Sequence, residues 1–196
     1  MCHPSVAQRL RGRAARVEVR KREPGAEAGV GDDHSVVDVQ VDRAGLVVVG
    51  RVGGSGGGVW AKAVGGTGPD SGWSVAVGSA GNVNTTGVLT FPGDVDPGAG
   101  ATDLTSGGSV DVFVSKLDSS GDLVWAKSFG GSEDDYCESV AVDSSGNVYT
   151  TGRFFYTFDF DPGAGTVNLT QYGSADGFVS KLDSSGTSLW AKGLGS

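Results

Sequence analysis

Short apolar runs, separated by small clusters of glycine, serine and aspartate, make up most of the chain beyond residue 35. Residues 139–142 (Ser-Val-Ala-Val), for example, are followed by the cluster 143–146 (Asp-Ser-Ser-Gly) and then by a second run rich in valine and threonine. Runs of this length and composition, bounded by turn-forming residues, predict β-strands. The chain holds 35 glycines, and their closeness to almost every apolar cluster disfavours long helices. We therefore predict an all-β fold.

The apolar pattern returns at a fixed period. The motif Trp-Ala-Lys begins at Trp60, Trp125 and Trp190, and both intervals are 65 residues (125 − 60 and 190 − 125). Residues 60–124 and 125–189 are identical at 37 of 65 positions without a gap. Self-similarity of this kind predicts stacked supersecondary units, none of which buries its apolar faces alone.

Each unit is predicted to contain four short antiparallel strands. In the last unit these are residues 139–142, 147–151, 177–182 and 188–192. Asp-Ser-Ser-Gly turns join the first two strands and the last two, because aspartate accepts backbone N–H bonds and glycine supplies the left-handed residue of a hairpin. Four antiparallel strands per unit predict tandem blades of a β-propeller. The excess residues, around 154–172, predict a decorated loop or lengthened hairpin at the outer part of each blade.

Two sets of residues recur at positions that stacked blades would use for packing and for turns. We expect Trp60, Trp125 and Trp190 to pack between blades. The alternative is an exposed aromatic platform on which a ligand stacks. The recurring turn glycines are Gly121, Gly146 and Gly186.

The longest motifs that recur within the chain occur in a fixed order. They are Asp-x-Phe-Val-Ser-Lys-Leu-Asp-Ser-Ser-Gly-x-Leu-x-Trp-Ala-Lys at 111–127 and Ser-Val-Ala-Val-Asp-Ser-Ser-Gly-Asn-Val-Tyr-Thr-Thr-Gly at 139–152. This order resembles the bacterial seven-bladed β-propeller repeat family (SBBP), and the resemblance extends over residues 57–196. It implies a propeller within a large secreted or surface-attached bacterial protein, a class usually without known enzymatic activity.

The chain divides into four segments. Residues 1–35 form a non-repeating basic arm, predicted to be disordered or to arise from a misplaced start or a shifted reading frame. Residues 36–64 form a degenerate partial blade, and 65–130 and 131–196 form two full blades. Closed propellers need about 4–8 blades. We therefore predict a partial β-propeller arc, a fragment of a larger protein, whose partners are further blades of that protein or other copies of itself.

The charge is unevenly distributed. Residues 1–22 contain seven basic residues and one acid, so the remainder has 8 basic and 22 acidic residues (15 − 7 and 23 − 1), a net charge of −14. Such an acidic body repels a phosphate backbone, which makes nucleic acid an unsuitable partner. No apolar run approaches the roughly 20 residues that span a bilayer. Together with the resemblance this favours an extracellular or cell-surface location, although no signal peptide is recognisable.

Paired aspartates provide the candidate metal site. Asp94 and Asp96, and their counterparts Asp159 and Asp161, precede a Pro-Gly turn. Carboxylates at i and i+2 followed by glycine resemble the start of loops that wrap Ca²⁺, an ion that takes about 6–8 oxygen ligands. The alternative is a polar turn in which each aspartate caps backbone amides. Calcium is the single cofactor candidate.

No set of residues predicts catalysis. Both histidines, His3 and His34, lie in the non-repeating arm, and nothing distinguishes one carboxylate pair for acid–base chemistry. We expect a non-catalytic extracellular or cell-surface scaffold or adhesion module that binds a protein or glycan surface. Two alternatives stay open: a propeller-borne enzyme, lyase or quinoprotein-like, whose catalytic residues lie outside this chain, and a calcium-stabilised repeat array.

Overall fold

The computed structural model describes residues 18–19, 35–39, 47–52, 58–66, 70–90, 92–105, 107–108 and 110–195, and every regular element in these ranges is a β-strand. None of the described residues forms a helix long and apolar enough to cross a membrane. The predicted arm at 1–35 lies outside the described residues, except for positions 18, 19 and 35. Its status therefore stays a prediction, and His3 and His34 also lie outside the described residues.

Sixteen strands follow one another along the described part of the chain. They are β1 (Glu18–Val19), β2 (Ser35–Val39), β3 (Val47–Val52), β4 (Gly58–Gly66), β5 (Ser71–Val77), β6 (Val83–Leu89), β7 (Gly93–Asp94), β8 (Asp103–Leu104), β9 (Asp111–Leu117), β10 (Leu123–Phe129), β11 (Tyr136–Val142), β12 (Val148–Phe154), β13 (Thr157–Asp159), β14 (Asn168–Thr170), β15 (Asp176–Leu182) and β16 (Ser188–Leu194).

Two four-stranded antiparallel sheets correspond to the two full repeats. The middle sheet has the order β5-β6-β9-β10, and the C-terminal sheet has the order β11-β12-β15-β16. The first strands of the two sheets, β5 and β11, contact each other. The prediction of an all-β fold built from tandem four-stranded antiparallel units is confirmed. In the described residues these sheets form an open arc and do not close into a ring.

A bulge in the first strand of each full repeat requires a glycine opposite it. The register between β11 and β12 shifts between Cys137 and Ser139. A Cβ atom at Gly152, on the facing strand, would collide with the backbone oxygen of Tyr136, and the same holds for Gly87 in the middle sheet. The Thr-Thr-Gly motif therefore ends in glycine because the bulged strand leaves no room for a side chain.

The N-terminal sheet begins with β1, β2, β3 and β4, paired in that order. β3 pairs directly with β4, so no strand equivalent to β9 or β15 lies between them. At its far end β4 pairs with β7 of the next repeat, with Gly65 opposite Asp94 and Gly66 opposite Gly93. The short β7–β8 hairpin thereby attaches the first full repeat to the sheet that precedes it.

The corresponding hairpin of the second full repeat, β13–β14, completes the core between the last two sheets. Phe158 and Phe160 are fully buried and pack against Phe129 of the middle sheet, at ring-centroid distances of 5.9 and 6.4 Å. Phe154 and Phe178 of the C-terminal sheet belong to the same cluster. The sequence pattern predicts an outer loop or hairpin here. A hairpin is observed, but it does not lie outside the core, because its alternate aromatic positions direct one of its faces into the core.

A smaller cluster lies between the N-terminal and middle sheets. Trp60 packs against its edge, and its buried members are Val64, Val83, Leu89, Val95 and Phe113. Both clusters combine residues of adjacent repeats, so each repeat obtains its core from its neighbour.

Candidate functional site at the repeat junctions

At each described junction, a tryptophan from the last strand of one sheet packs against a turn of the next repeat. The indole Nε1 of Trp125, in β10, donates to the backbone oxygen of Ser184 at 3.1 Å. Trp60, in β4, donates in the same way to the backbone oxygen of Ser119 at 3.0 Å. Both contacts join residues 59 positions apart, so they are tertiary contacts that connect one repeat to the next.

The receiving turns leave no room for a side chain at their glycine. Gly121 and Gly186 have φ angles of 85° and 84°, a region that β-carbons disfavour. A Cβ atom at Gly186 would lie 3.0 Å from the ring of Trp125, and one at Gly121 would lie 2.7 Å from the ring of Trp60. Gly146, with a φ of 81°, belongs to a turn that receives no tryptophan. Glycine is thus required at 121 and 186 both by the backbone and by the indole ring.

An aspartate organises each of these turns from its first position. Asp183 accepts hydrogen bonds at Oδ1 from the amides of Ser185 and Thr187, at 2.8 and 3.0 Å. The Ser185 hydroxyl also donates to it at 2.7 Å, and this bond is the main reason why the pKa of Asp183 lies below its usual value. Asp118 and Asp143 accept the equivalent pairs of amides. The same turn is therefore built three times.

Trp190, the third tryptophan of the series, is not covered by such a turn in the described part of the chain. Its side chain is 38% exposed, and it contacts the edge of Tyr149 at a ring-centroid distance of 6.3 Å. Leu189 and Leu194, on the same strand β16, are also exposed. Val124, the counterpart of Leu189 in β10, is equally exposed, whereas Phe129, the counterpart of Leu194, is buried. The apolar surface that the middle sheet covers and the C-terminal sheet leaves exposed is therefore that of Trp190 and Leu194.

The structure places the four candidate calcium ligands in two separate loops. Asp94 accepts hydrogen bonds at Oδ1 from the amides of Asp96 and Thr102, both at 2.9 Å. Asp96 accepts from the amide of Gly98 at 2.7 Å. In the next repeat Asp159 accepts from the amides of Asp161 and Val167, and Asp161 accepts from that of Gly163. Each aspartate thus caps the backbone of its own loop.

This geometry is the turn that the sequence offered as the alternative to a metal site. Within the described residues, no group of three or more His, Cys, Asp and Glu side chains is arranged to hold a metal ion. Calcium binding at Asp94, Asp96, Asp159 and Asp161 stays a prediction. Further oxygen ligands would have to come from backbone carbonyls and water.

Buried carboxylates lie at the opposite end of the junction from the Asp-Ser-Ser-Gly turns. Asp135 is fully buried and accepts hydrogen bonds from the amides of Gly131 and Phe155 at 2.8 and 3.2 Å. Burial raises the pKa of Asp135 to about 7, and the nearby charges of Asp111 and Asp134 add to the rise. Burial also raises the pKa of Asp111. The bonds of Asp135 hold the loop between β10 and β11 against the residue that follows β12.

Cys137 is a buried free thiol in β11. Its sulfur lies 3.6 Å from the backbone oxygens of Ser139 and Thr151. Burial raises the pKa of this thiol to about 11, which disfavours the reactive thiolate. Cys2 lies outside the described residues.

A cavity of about 230 Å³ lies between the middle and C-terminal sheets, at the end where the turns gather. Gly78, Asn84 and Lys116 line it from the middle sheet, and Ser144 and Ser184 line it from the C-terminal sheet. No motif singles out these residues. The available sequence signal is one substitution within the repeat, because glycine occupies position 78 where the other three turns have aspartate.

Comparisons with known proteins agree with this arrangement of tandem four-stranded sheets. A protein described as "Regulatory protein FlaEY", from Caulobacter vibrioides, is 29% identical to this chain over 145 residues. The match covers 69% of this chain and 15% of that protein, so the chain spans a small part of the relative's length. Residues 124–153, which run from β10 through β11 into β12, match the family model described as SBBP, a beta-propeller repeat. The chain therefore contains an SBBP β-propeller repeat, set within tandem four-stranded antiparallel units.

Proposed function

We propose that the chain is a non-catalytic repeat scaffold, part of a larger extracellular or cell-surface β-propeller protein, that works as an adhesion or binding module. Its blades pack face to face, and the tryptophan-and-turn contact joins each blade to the next. The relative from Caulobacter vibrioides is named as a regulatory protein, and a module that binds without catalysis is compatible with that description.

The observation that carries the proposal is the difference between the three tryptophans. Trp60 and Trp125 donate to the turn of the following repeat, and their rings cover its glycine. Trp190 occupies the same place in β16 and is exposed. The occupant that fits its surface is the Asp-Ser-Ser-Gly turn of another blade with the same repeat, since that is what the other two tryptophans bind.

The test is to append one further copy of residues 131–196 at the C terminus. The turn of the added copy should cover Trp190, shift its fluorescence emission to shorter wavelength, and raise the midpoint of thermal unfolding by several degrees. The emission of Trp190 is isolated by subtracting the spectrum of the matching Trp190→Phe variant.

A matched control carries valine at the position of the added copy that corresponds to Gly186. A side chain there would collide with the indole ring, as it would at Gly186 itself. The control should leave Trp190 exposed. Equal emission from the two extended proteins would contradict the proposed contact. Surface location is tested separately, by adding protease to intact cells of the source organism, where a surface protein is cleaved.

A further inference from the structure

We propose that the cavity between the middle and C-terminal sheets binds a small carboxylate, held in the place that an aspartate side chain occupies in the other turns. The cavity is lined by a nearly complete set of carboxylate-binding groups from which the carboxylate itself is missing.

The backbone of the turn at Gly78 is the same as that of the turn at Asp143. The amide of Gly78 donates to the oxygen of Asn82 at 2.9 Å, and that of Asp143 donates to the oxygen of Asn147 at 3.0 Å. The turn glycines match as well, since Gly81 has a φ of 76° and donates to the first residue of the turn as its counterpart does. The two turns therefore present their amides in the same arrangement.

In the C-terminal sheet a carboxylate fills this arrangement. Asp143 accepts at Oδ1 from the amides of Ser145 and Asn147, at 3.0 and 2.9 Å. Its Oδ2 accepts from Asn147 Nδ2 at 2.7 Å and from the Tyr149 hydroxyl at 3.2 Å, and it lies 3.9 Å from Lys181 Nζ. Five donors thus converge on one side chain.

In the middle sheet the donors persist and the acceptor is absent. The counterparts of Asn147, Tyr149 and Lys181 are Asn82, Asn84 and Lys116, 65 positions earlier. Asn84 and Lys116 are directly paired across β6 and β9, as Tyr149 and Lys181 are across β12 and β15, so each pair shares a face of its sheet. Gly78 takes the place of the aspartate, and the cavity opens beside it.

The polar groups that line the cavity are buried and short of partners. Asn84 is 1% exposed, and neither its Oδ1 nor its Nδ2 has a hydrogen-bond partner. Lys116 is 7% exposed, and its ammonium donates to the backbone oxygen of Ser184 at 2.9 Å. Within the described residues no carboxylate forms an ion pair with it. A buried amide N–H group without an acceptor and a buried ammonium without a counter-charge are destabilising, and a bound anion would supply an acceptor to Asn84 Nδ2 and a negative charge to Lys116.

The cavity also limits the ligand. Its volume of about 230 Å³ holds a carboxylate of the size of formate or acetate together with water, and it is open enough to admit the end of a longer acid. The ligand class is therefore a carboxylate group on a small acid, an acidic sugar or a chain end, and the shared chemistry is the planar anion with two acceptor oxygens.

The experiment is a titration of the full chain with sodium acetate, followed by amide NMR, with acetamide and sodium chloride as matched solutes. Acetate should shift the amide protons of Ala80 and Asn82 downfield in a saturable manner, because these are the amides that the aspartate of the other turns accepts. Acetamide, which has the same shape without the charge, should bind at least tenfold more weakly. Glucuronate and an N-acetylated amino acid then show whether a sugar acid or a chain end also enters.

The Gly78→Asp variant supplies the missing side chain from within. A Cβ atom at position 78 would have Val142 Cγ1 as its nearest neighbour, at 3.5 Å, an ordinary van der Waals contact, and the cavity lies beside it. The variant should unfold several degrees higher than the natural chain and should lose the acetate response. The proposal is overturned if acetate and acetamide act alike on the natural chain, a comparison that does not depend on any variant, or if Gly78→Asp keeps the full acetate response.

Discussion

Residues 113–121 and 178–186 have the same sequence but different surroundings. In the middle sheet every residue of β9 is buried, whereas in the C-terminal sheet buried and half-buried residues alternate along β15. Val114 is fully buried, and its counterpart Val179 is half-buried. The middle sheet has a neighbour on both faces, while one face of the C-terminal sheet is uncovered in the described residues. Burial in this protein is therefore set by the adjacent repeat, and identical strands differ in stability according to their place in the stack.

The largest expected effect is on the junction that covers the middle sheet, through the ionisation of Asp135. Burial raises the pKa of Asp135 to about 7 from an ordinary value of 3.8. Between these values the folded protein keeps a proton that the unfolded chain has lost, so rising pH favours unfolding. The free energy of unfolding should therefore fall between about pH 4 and pH 7, by at most about 4 kcal/mol, and level off above.

Urea denaturation at a series of pH values measures this slope for the natural chain and for Asp135→Asn. The variant is neutral throughout, so its free energy of unfolding should vary less over the same window. Asp122→Asn, at an exposed position, is the matched control and should follow the natural chain. Parallel pH profiles for the natural chain and Asp135→Asn would show that Asp135 does not titrate in this window.

The second prediction compares Trp125, which the next repeat covers, with Trp190, which no repeat covers in the described residues. Trp125→Ala removes a ring packed on Gly186 together with its bond to Ser184, and we expect a loss of about 2–4 kcal/mol in the free energy of unfolding. Trp190→Ala removes a ring that is partly exposed and that no turn covers in the described part of the chain, and the expected loss is less than about 1 kcal/mol. Equal losses, measured by urea denaturation, would mean that the turn does not stabilise the indole.

Local rules were sufficient to predict the strands and turns. The last strand, predicted at 188–192, is observed as Ser188–Leu194, and the first, predicted at 139–142, begins earlier, at Tyr136. Strand propensity and the turn chemistry of aspartate and glycine act within a few residues, so the sequence displays them directly. These two strand ends were missed because the bulge at Cys137 interrupts the pattern, and because the residues after Lys192 include a glycine. The second strand, predicted at 147–151, also extends further than predicted, to Phe154.

Contacts between repeats could be predicted only in part. The spacing of the tryptophans indicated packing between blades, but the burial of Phe158 and Phe160 against Phe129 depends on how the β13–β14 hairpin folds back. The cavity was also missed, because it arises where a side chain is absent and because its walls come from positions as distant as Gly78 and Ser184. The effect of glycine at position 78 can be recognised only after the structure shows which donors the Asp143 carboxylate accepts from in the equivalent turn.

The smallest expected effect tests the comparison of identical stretches most directly. Val114→Ala and Val179→Ala remove the same two methyl groups from the same sequence context, so local propensity changes equally in both. Val114 is packed on all sides, and its loss should lower the free energy of unfolding by about 1–2 kcal/mol, while Val179 should lose less than half of that. Urea denaturation of the two variants gives the difference. If both lose the same amount, the stability of a strand lies in its own sequence; if covering the C-terminal sheet with a further repeat makes them equal, it lies in the neighbour.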